Sequence, residues 1–332
     1  MFFCSARVLA ADLSQVIADV HSSAASSDGS ASAERSSVNG TAAGGARTLA
    51  VTQRGFVASL LPYDIATRFR GLVDQHPSAW IFTSATLALA GSFQHFATRL
   101  GLGDAATLCL DSPFDYERQA LLYLPKDLPD PGAANYTELI LEAARPLLTA
   151  SAGGAFLLFT SHRALRIAAQ VLRGADWASA WPLLVQNAAP REILLRQFRD
   201  SGRAILLGTA SFWEGVDVQG AALRLVVIDK LPFAPPDDPQ VRARTQFLRT
   251  QGVNVFRDYQ LPEAALALKQ GVGRLIRSET DRGVVMICDP RLVTRGYGRQ
   301  LLASLPPMRV IREAAEASAM LCQCAQDWEA RR

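Results

Sequence analysis

Lysine is nearly absent. In 332 residues there are three, Lys126, Lys230 and Lys269, and none follows Gly or precedes Ser or Thr. A phosphate-cradling P-loop needs Gly-x-x-x-x-Gly-Lys-Ser/Thr, because its amides and its lysine hold the phosphates together. The chain as written has no such loop, which nearly excludes a self-sufficient NTPase. A paired-acid magnesium motif is missing too. Leu225-Val226-Val227-Ile228-Asp229 imitates its strand, but Lys230 and Leu231 stand where the second acid belongs, so Asp229 reads as a strand-end residue. The five cysteines (Cys4, Cys109, Cys288, Cys322, Cys324) are scattered and odd in number, which fits a reducing compartment without a disulfide framework. Cys322-x-Cys324 reads as incidental. The four histidines (His21, His76, His95, His162) form no metal-ligand pattern, so no metal site is expected. No apolar run reaches the roughly 18 residues that a membrane-spanning helix needs. The start, Met1 to Leu9, lacks the charged region and long apolar core of a signal peptide. The expectation is a cytoplasmic protein with no membrane partner. A net charge of +3 limits nucleic-acid binding to a local patch rather than a global field.

The residues that are present describe a globular α/β chain. Hydrophobic residues make up 49%, enough for a substantial core, and the length suggests about two domains. Residues 1–20 form a short terminal segment, with a possible helix over Ala6 to Val20. Residues 21–46 are rich in Ser, Ala and Gly and poor in large apolar side chains, the composition of a flexible linker. Extended runs are expected over Thr48 to Leu61, a helix over Ile65 to Val73, a buried strand over Ala79 to Thr83 and a helix over Ser92 to Leu100. From Ala105 onward strands and helices alternate. Strands are expected at 107–110, 120–124, 155–159, 183–186, 204–207, 223–228 and 283–288. Helices are expected at 135–148, 163–172, 191–200, 239–250, 262–275 and 297–303. Such continuous apolar strands suit a parallel sheet covered on both faces, whose functional loops would gather at the carboxyl ends of the strands.

The most informative stretch is Gln270-Gly271-Val272-Gly273-Arg274-Leu275-Ile276-Arg277. On a helix Gln270, Arg274 and Arg277 fall at i, i+4 and i+7 and share a face. Two guanidiniums and an amide suit a polyphosphate, since Arg offers a fixed fork of donors and keeps its charge. Gly271 and Gly273 leave that face uncrowded. A solvated basic helix face is the alternative. Three further runs pair an apolar strand with polar residues: Trp80-Ile81-Phe82-Thr83-Ser84-Ala85-Thr86-Leu87, Phe156-Leu157-Leu158-Phe159-Thr160-Ser161-His162, and Ile205 through Thr209-Ala210-Ser211-Phe212-Trp213-Glu214-Gly215-Val216-Asp217.

In order and spacing these segments resemble the third, fourth, fifth and sixth motifs of superfamily 2 helicases of the DinG/XPD type. Lys230-Leu231-Pro232-Phe233 matches a further phrase of that family. The resemblance runs from about Leu60 to Leu302. It implies a complete second RecA-like motor domain over 105–310, a remnant of the first over 47–104, and a terminal helix over 311–332. It further implies an ATP-dependent DNA helicase motor that moves 5′ to 3′ on single-stranded DNA in repair or replication. Half of its ATP site would come from a missing N-terminal portion, the implied partner if the gene is split, so this chain alone would turn nothing over.

By resemblance Arg274 and Arg277 would act as arginine fingers, with Gln270, Gly271 and Gly273 around the nucleotide. Gly215 would let the backbone approach a ligand, and Glu214 and Asp217 would orient the arginines or touch the ribose; pairing of one arginine with Glu214 or Asp217 is the alternative. Thr209 and Ser211 would donate to nucleic-acid phosphates, while Phe212 reads as core. Ser161 would contact phosphate or cap the helix that follows it. Thr83, Ser84 and Thr86 would couple the two motor domains, or would cap a helix start. Mg²⁺ would be held mainly by the missing portion. An iron–sulfur cluster is possible in a full-length protein, but no ligand spacing for one occurs in this chain. The alternative class is a non-catalytic nucleic-acid-binding or partner module.

Overall fold

The computed structural model describes residues 45–52, 55–76, 78–209, 212 and 220–330. In chain order they form β1 (Gly45–Thr52), β2 (Gly55–Pro62), α1 (Ala66–Gln75), α2 (Gln94–Leu100), α3 (Tyr116–Gln119), β3 (Ala120–Tyr123), α4 (Tyr136–Ala150), β4 (Ala155–Leu158), α5 (His162–Arg173), β5 (Leu183–Val185), α6 (Arg191–Ser201), β6 (Ile205–Gly208), β7 (Leu225–Ile228), α7 (Pro239–Thr250), α8 (Leu261–Val272), β8 (Gly283–Ile287), α9 (Arg291–Thr294), α10 (Gly298–Ala303), β9 (Arg309–Ile311) and α11 (Ala314–Ala330). The segment 1–20 and the linker 21–46, up to residue 44, lie outside the described residues. The described chain divides into two units. One holds residues up to 83 together with 93–107 and 234–260; the other holds 84–92, 108–233 and 261–332.

The second unit is built on a seven-stranded sheet in the order β5-β6-β4-β7-β8-β3-β9, with every neighbouring pair parallel. Its inner strands are apolar at every position because helices cover both faces. In β4, Phe156 and Leu158 face Phe198 of α6, Leu268 of α8 and Leu301 of α10. Ala155 and Leu157 face Ile140 and Leu147 of α4, Leu165 of α5 and Leu321 of α11. This is the RecA-like fold that the alternating pattern implied. β9 was not foreseen, being only three residues long and following Pro306-Pro307.

The amino ends of the strands are closed by one arginine. Arg224, just before β7, has no solvent exposure (0%). Its Nε donates to Ser151 O at 3.0 Å, its Nη1 to Ala221 O at 2.6 Å and its Nη2 to Gly202 O at 2.9 Å. Ser151 and Gly202 are the residues that end α4 and α6, so the guanidinium satisfies carbonyls at two helix C-termini, where positive charge is favoured. It also lies 5.1 Å from the Trp328 ring centroid of α11. Burial pulls its pKa down to about 10, so it stays charged at neutral pH. The chain turns beside it at Gly153 and Gly154, both at positive φ (75° and 59°). A Cβ on Gly154 would sit 2.5 Å from Arg224 Nη2, so only glycine fits there.

In the first unit β1 and β2 form an antiparallel hairpin, and α1, α2 and α7 accompany it. α7 begins where a cap predicts: the Asp238 carboxylate accepts from Gln240 N and Val241 N at 2.8 and 3.1 Å, with Pro239 in the first turn. The strand expected over 79–83 is absent, and those residues are irregular and mostly exposed. An apolar run built for a sheet interior needs neighbouring strands to take its amides. Among the described residues of this unit only the β1–β2 hairpin pairs. The rings pack locally instead: Phe69 lies 6.2 Å from Trp80 and 5.9 Å from Phe82, and Phe82 lies 5.7 Å from Phe96. The strand expected over 107–110 is likewise irregular, with Leu108 and Leu110 exposed.

Candidate functional site

Candidate residues gather at both edges of the parallel sheet, not only at the carboxyl edge expected for an open α/β sheet. The loop 273–282 leads into β8 and therefore lies at the amino edge. It carries Arg274 and Arg277. α8 stops at Val272, three residues before the expected end, so Gln270 stays on the helix but Arg274 and Arg277 leave it. The shared helical face of these three side chains is thus not formed. Arg274 N bonds to Gly271 O at 3.3 Å and Leu275 N to Val272 O at 3.2 Å, three-residue closures that tighten and end the helix. Two glycines in its last turn weaken it by about 1 kcal/mol each relative to alanine.

The same loop is gripped by a buried acid. Asp281 Oδ2 accepts from Arg277 N at 2.8 Å and from Ser278 N at 2.9 Å. A continued helix would have spent both amides on carbonyls four residues earlier. Gln119, the last residue of α3, donates its Nε2 to Ser278 O at 2.9 Å and to Asp281 O at 3.0 Å. Arg274 is buried (7% exposed), while Arg277 is half-buried. Arg277 lies near enough to Tyr116 of α3 for its charge to oppose the burial that raises the tyrosine's pKa.

Residues 84–92 belong to the same unit. Leu89 packs on the core, and the Ala88 carbonyl accepts from Lys269 Nζ at 3.3 Å. Lys269 precedes Gln270 on α8, and burial lowers its pKa. The segment bearing Ser84 and Thr86 is therefore tied to the helix bearing Gln270. Thr86 N donates to Ser84 Oγ at 3.1 Å, closing a local turn; no helix starts there. Thr83 is exposed, and the division between the units falls between it and Ser84.

At the carboxyl edge Ser161 is exposed and caps α5, its Oγ accepting from Ala164 N at 3.1 Å. The cap occupies a lone pair and leaves the hydroxyl proton available to a ligand. Thr209 is buried, and its amide and hydroxyl both lie on Gln186 Oε1, at 2.6 and 3.0 Å. Phe212 is core, 2% exposed. Ser211, Glu214, Gly215 and Asp217, like Trp213, lie outside the described residues.

Two acids that the sequence reading did not use organise this edge. Asp229, at the end of β7, accepts from Thr160 N at 2.9 Å and from Lys230 N at 2.6 Å on Oδ1, and from Thr160 Oγ1 at 3.3 Å on Oδ2. Asp289, after β8, accepts from Leu231 N at 2.9 Å and from the Arg291 guanidinium at 2.6 Å. Between them they fix the backbone of the Lys230-Leu231-Pro232-Phe233 run. Lys230 Nζ donates to Pro131 O and stands 4.7 Å from the Tyr136 ring centroid. Both cations are thus engaged with the protein itself. These partners lie far apart in sequence; only the acid closing each strand, Asp229 and Asp289, hinted at them.

Burial raises the Asp229 carboxyl from 3.8 to about 7, against the pull of its amide bonds. Folding therefore favours the protonated acid. The stability this contributes is present at low pH and is lost as pH rises through about 7. Asp229→Asn keeps an acceptor for both amides and has no charge to bury. Its unfolding free energy is expected to fall less between pH 6 and pH 8.5 than that of the unmodified protein, measured by urea titration at both pH values. Equal falls in the two proteins would show that Asp229 does not titrate in this range.

Among the described residues no group of three or more His, Cys, Asp or Glu side chains could hold a metal ion. The donor set of the described residues does not fit Mg²⁺ or an iron–sulfur cluster. Arg277, half-buried on the arginine loop, is of a residue type whose donors suit the anionic oxygens of a polyphosphate.

Comparison with known proteins bears on the same residues. Residues 144–308 match the helicase C-terminal domain family. The chain is 48% identical over 269 residues to the ATP-dependent DNA helicase YoaA of Escherichia coli, covering 80% of this chain and 41% of that protein. It is 40% identical over 251 residues to the ATP-dependent helicase DinG of Mycobacterium tuberculosis, covering 74% of this chain and 37% of that protein. The chain thus spans less than half the length of these relatives. Among solved structures, an XPD helicase superposes with a TM-score of 0.56 at 17% identity, covering 81% of this chain and 48% of that one; at that identity the likeness concerns the fold.

Proposed function

This chain belongs to the DinG/XPD-type helicases and carries their C-terminal part, and on that premise we propose that it is the second motor of an ATP-dependent DNA helicase. The observation that carries the reading is the loop after α8, which presents Arg274 and Arg277 at the amino edge of the sheet while the hydroxyl and amide groups lie at the carboxyl edge. ATP would be held by a P-loop outside this chain. Arg277 and Arg274 would reach its γ-phosphate and stabilise the charge that spreads over the equatorial oxygens during transfer. Such fingers are worth about 10³–10⁵ in rate. Gln270 would read the same nucleotide from the end of α8. Through Lys269 and Ala88, the turn at Ser84 and Thr86 is tied to that helix, a route by which nucleotide state would pass toward Thr83.

Single-stranded DNA would cross the carboxyl edge, with its backbone at the N-terminus of α5. There Ser161 keeps a donor, the first-turn amides favour anions, and hydroxyl contacts to phosphate read no sequence. Translocation from 5′ to 3′ and a role in repair or replication belong to the same reading and rest on resemblance alone.

Titrating fluorescent single-stranded DNA with this chain, and following phosphate release in the same samples, tests the proposal. The expected result is salt-sensitive binding, weakened in Ser161→Ala, with no phosphate release. Phosphate release by the chain alone would mean a complete nucleotide site within it and would overturn the half-motor reading.

A further inference from the structure

We propose that Asp281 is the positioning residue of the arginine loop, with Gln119 as its anchor to the sheet. The proposal rests on the reading of Arg277 as a γ-phosphate contact. Its physical basis is the early end of α8. Because the helix stops at Val272, nothing helical fixes the backbone five residues later, where Arg277 begins. An arginine finger on a loose loop loses much of its effect, since a misplacement of about 1 Å can lower a rate about 10²-fold.

Asp281 supplies the missing constraint. It is 3% exposed, and a single oxygen, Oδ2, takes the amides of both Arg277 and Ser278. Its own amide closes on Ser278 O at 3.3 Å, so residues 278–281 form a tight turn folded around their own carboxylate. Gln119 is 5% exposed and holds the outside of that turn through the carbonyls of Ser278 and Asp281. Gln119 immediately precedes β3, and β3 pairs with β8, which starts two residues after Asp281. The turn is therefore clamped between two adjacent strands of the sheet, and Arg277 leaves from its rim. The other oxygen, Oδ1, is buried and accepts no hydrogen bond. Only one oxygen of the acid is needed for the clamp, so asparagine, which retains one acceptor, should replace it.

The test uses the full chain, and for turnover the full chain fused to the part of Escherichia coli YoaA that it does not match. Amide hydrogen exchange is read at Arg277 and Ser278, and ATP turnover is read with single-stranded DNA. In Asp281→Ala both amides are expected to lose protection while those of β8 keep theirs. Its kcat should fall about 10²-fold with little change in KM for ATP, and Asp281→Asn should restore both readouts. The double variant Arg277→Ala/Asp281→Ala should be no slower than Arg277→Ala. If Asp281→Ala does not fold, Gln119→Leu decides in its place, with the same two amides loosened and kcat lowered. Full turnover in the Asp281 or Gln119 variant, beside a collapse in Arg277→Ala, would overturn the positioning role and leave the arginine reading intact. Full turnover in Arg277→Ala would overturn both.

Discussion

Arg277→Ala in the fused motor is expected to lower DNA-stimulated ATP turnover by about 10³-fold or more, with unfolding free energy nearly unchanged. The two halves of this expectation have separate causes. The loss of rate follows from removing a fixed cation from the position where charge develops in phosphoryl transfer. The preserved stability follows from where the loop gets its order. Asp281 and Gln119 bind main-chain groups of residues 277–281, not the guanidinium. The half-buried side chain can therefore be cut back without opening the turn. Arg274 differs in degree. At 7% exposure it packs within the unit, so Arg274→Ala should lower turnover as well, with a measurable loss of stability. Turnover of Arg277→Ala within about threefold of the parent would remove it from the finger role, since such fingers contribute at least about 10³. Urea unfolding of the same preparations separates the two effects.

Arg224→Ala is expected to destabilise the sheet unit by about 3–5 kcal/mol. The side chain is wholly buried and, among the described residues, forms no ion pair; it is held by carbonyls of Ser151, Ala221 and Gly202 and by the face of Trp328. Truncation leaves those carbonyls without donors, each costing about 1–3 kcal/mol, and opens a cavity between α4, α6 and α11. Relief of the buried charge offsets part of this. Arg224→Lys should recover less than half, because one ammonium cannot span the fork that a guanidinium fills. The urea midpoint of the full chain measures both. A loss under about 1 kcal/mol would mean that the charge penalty cancels the bonds, and that the floor of the sheet is held by packing alone.

The parts of the fold legible in the sequence are those set by local pattern. The strands from Ala120 to Ile287 were marked by unbroken apolar runs, and the helices between them by their alternation with those strands. α7 was placed to the residue, and the structure adds the Asp238 cap at its start. What misled was context. The run Trp80 to Thr83 has the composition of a buried strand, but composition cannot supply the neighbours a strand needs. The end of α8 was overrun for a related reason. Gly271 and Gly273 signalled a weak helix, but the acid that takes the amides of Arg277 and Ser278 lies further along the chain, and its claim on them shows only in three dimensions. The expectation that functional loops lie at the carboxyl edge holds for a site contained in one sheet. A loop whose arginines would serve a nucleotide held elsewhere need not obey it, and the loop bearing Arg274 and Arg277 precedes β8. The contacts made by Asp229, Asp289 and Gln186 were not foreseen because their partners come from other strands and loops.

If this chain supplies half of an ATP site, hydrolysis should require both halves. The most direct measurement is ATP hydrolysis with single-stranded DNA by three preparations: this chain, the unmatched part of Escherichia coli YoaA, and the two joined. DNA-stimulated hydrolysis is expected only where both parts are present. Equal hydrolysis by this chain alone, or a joined protein that binds DNA and never turns over ATP, would contradict it.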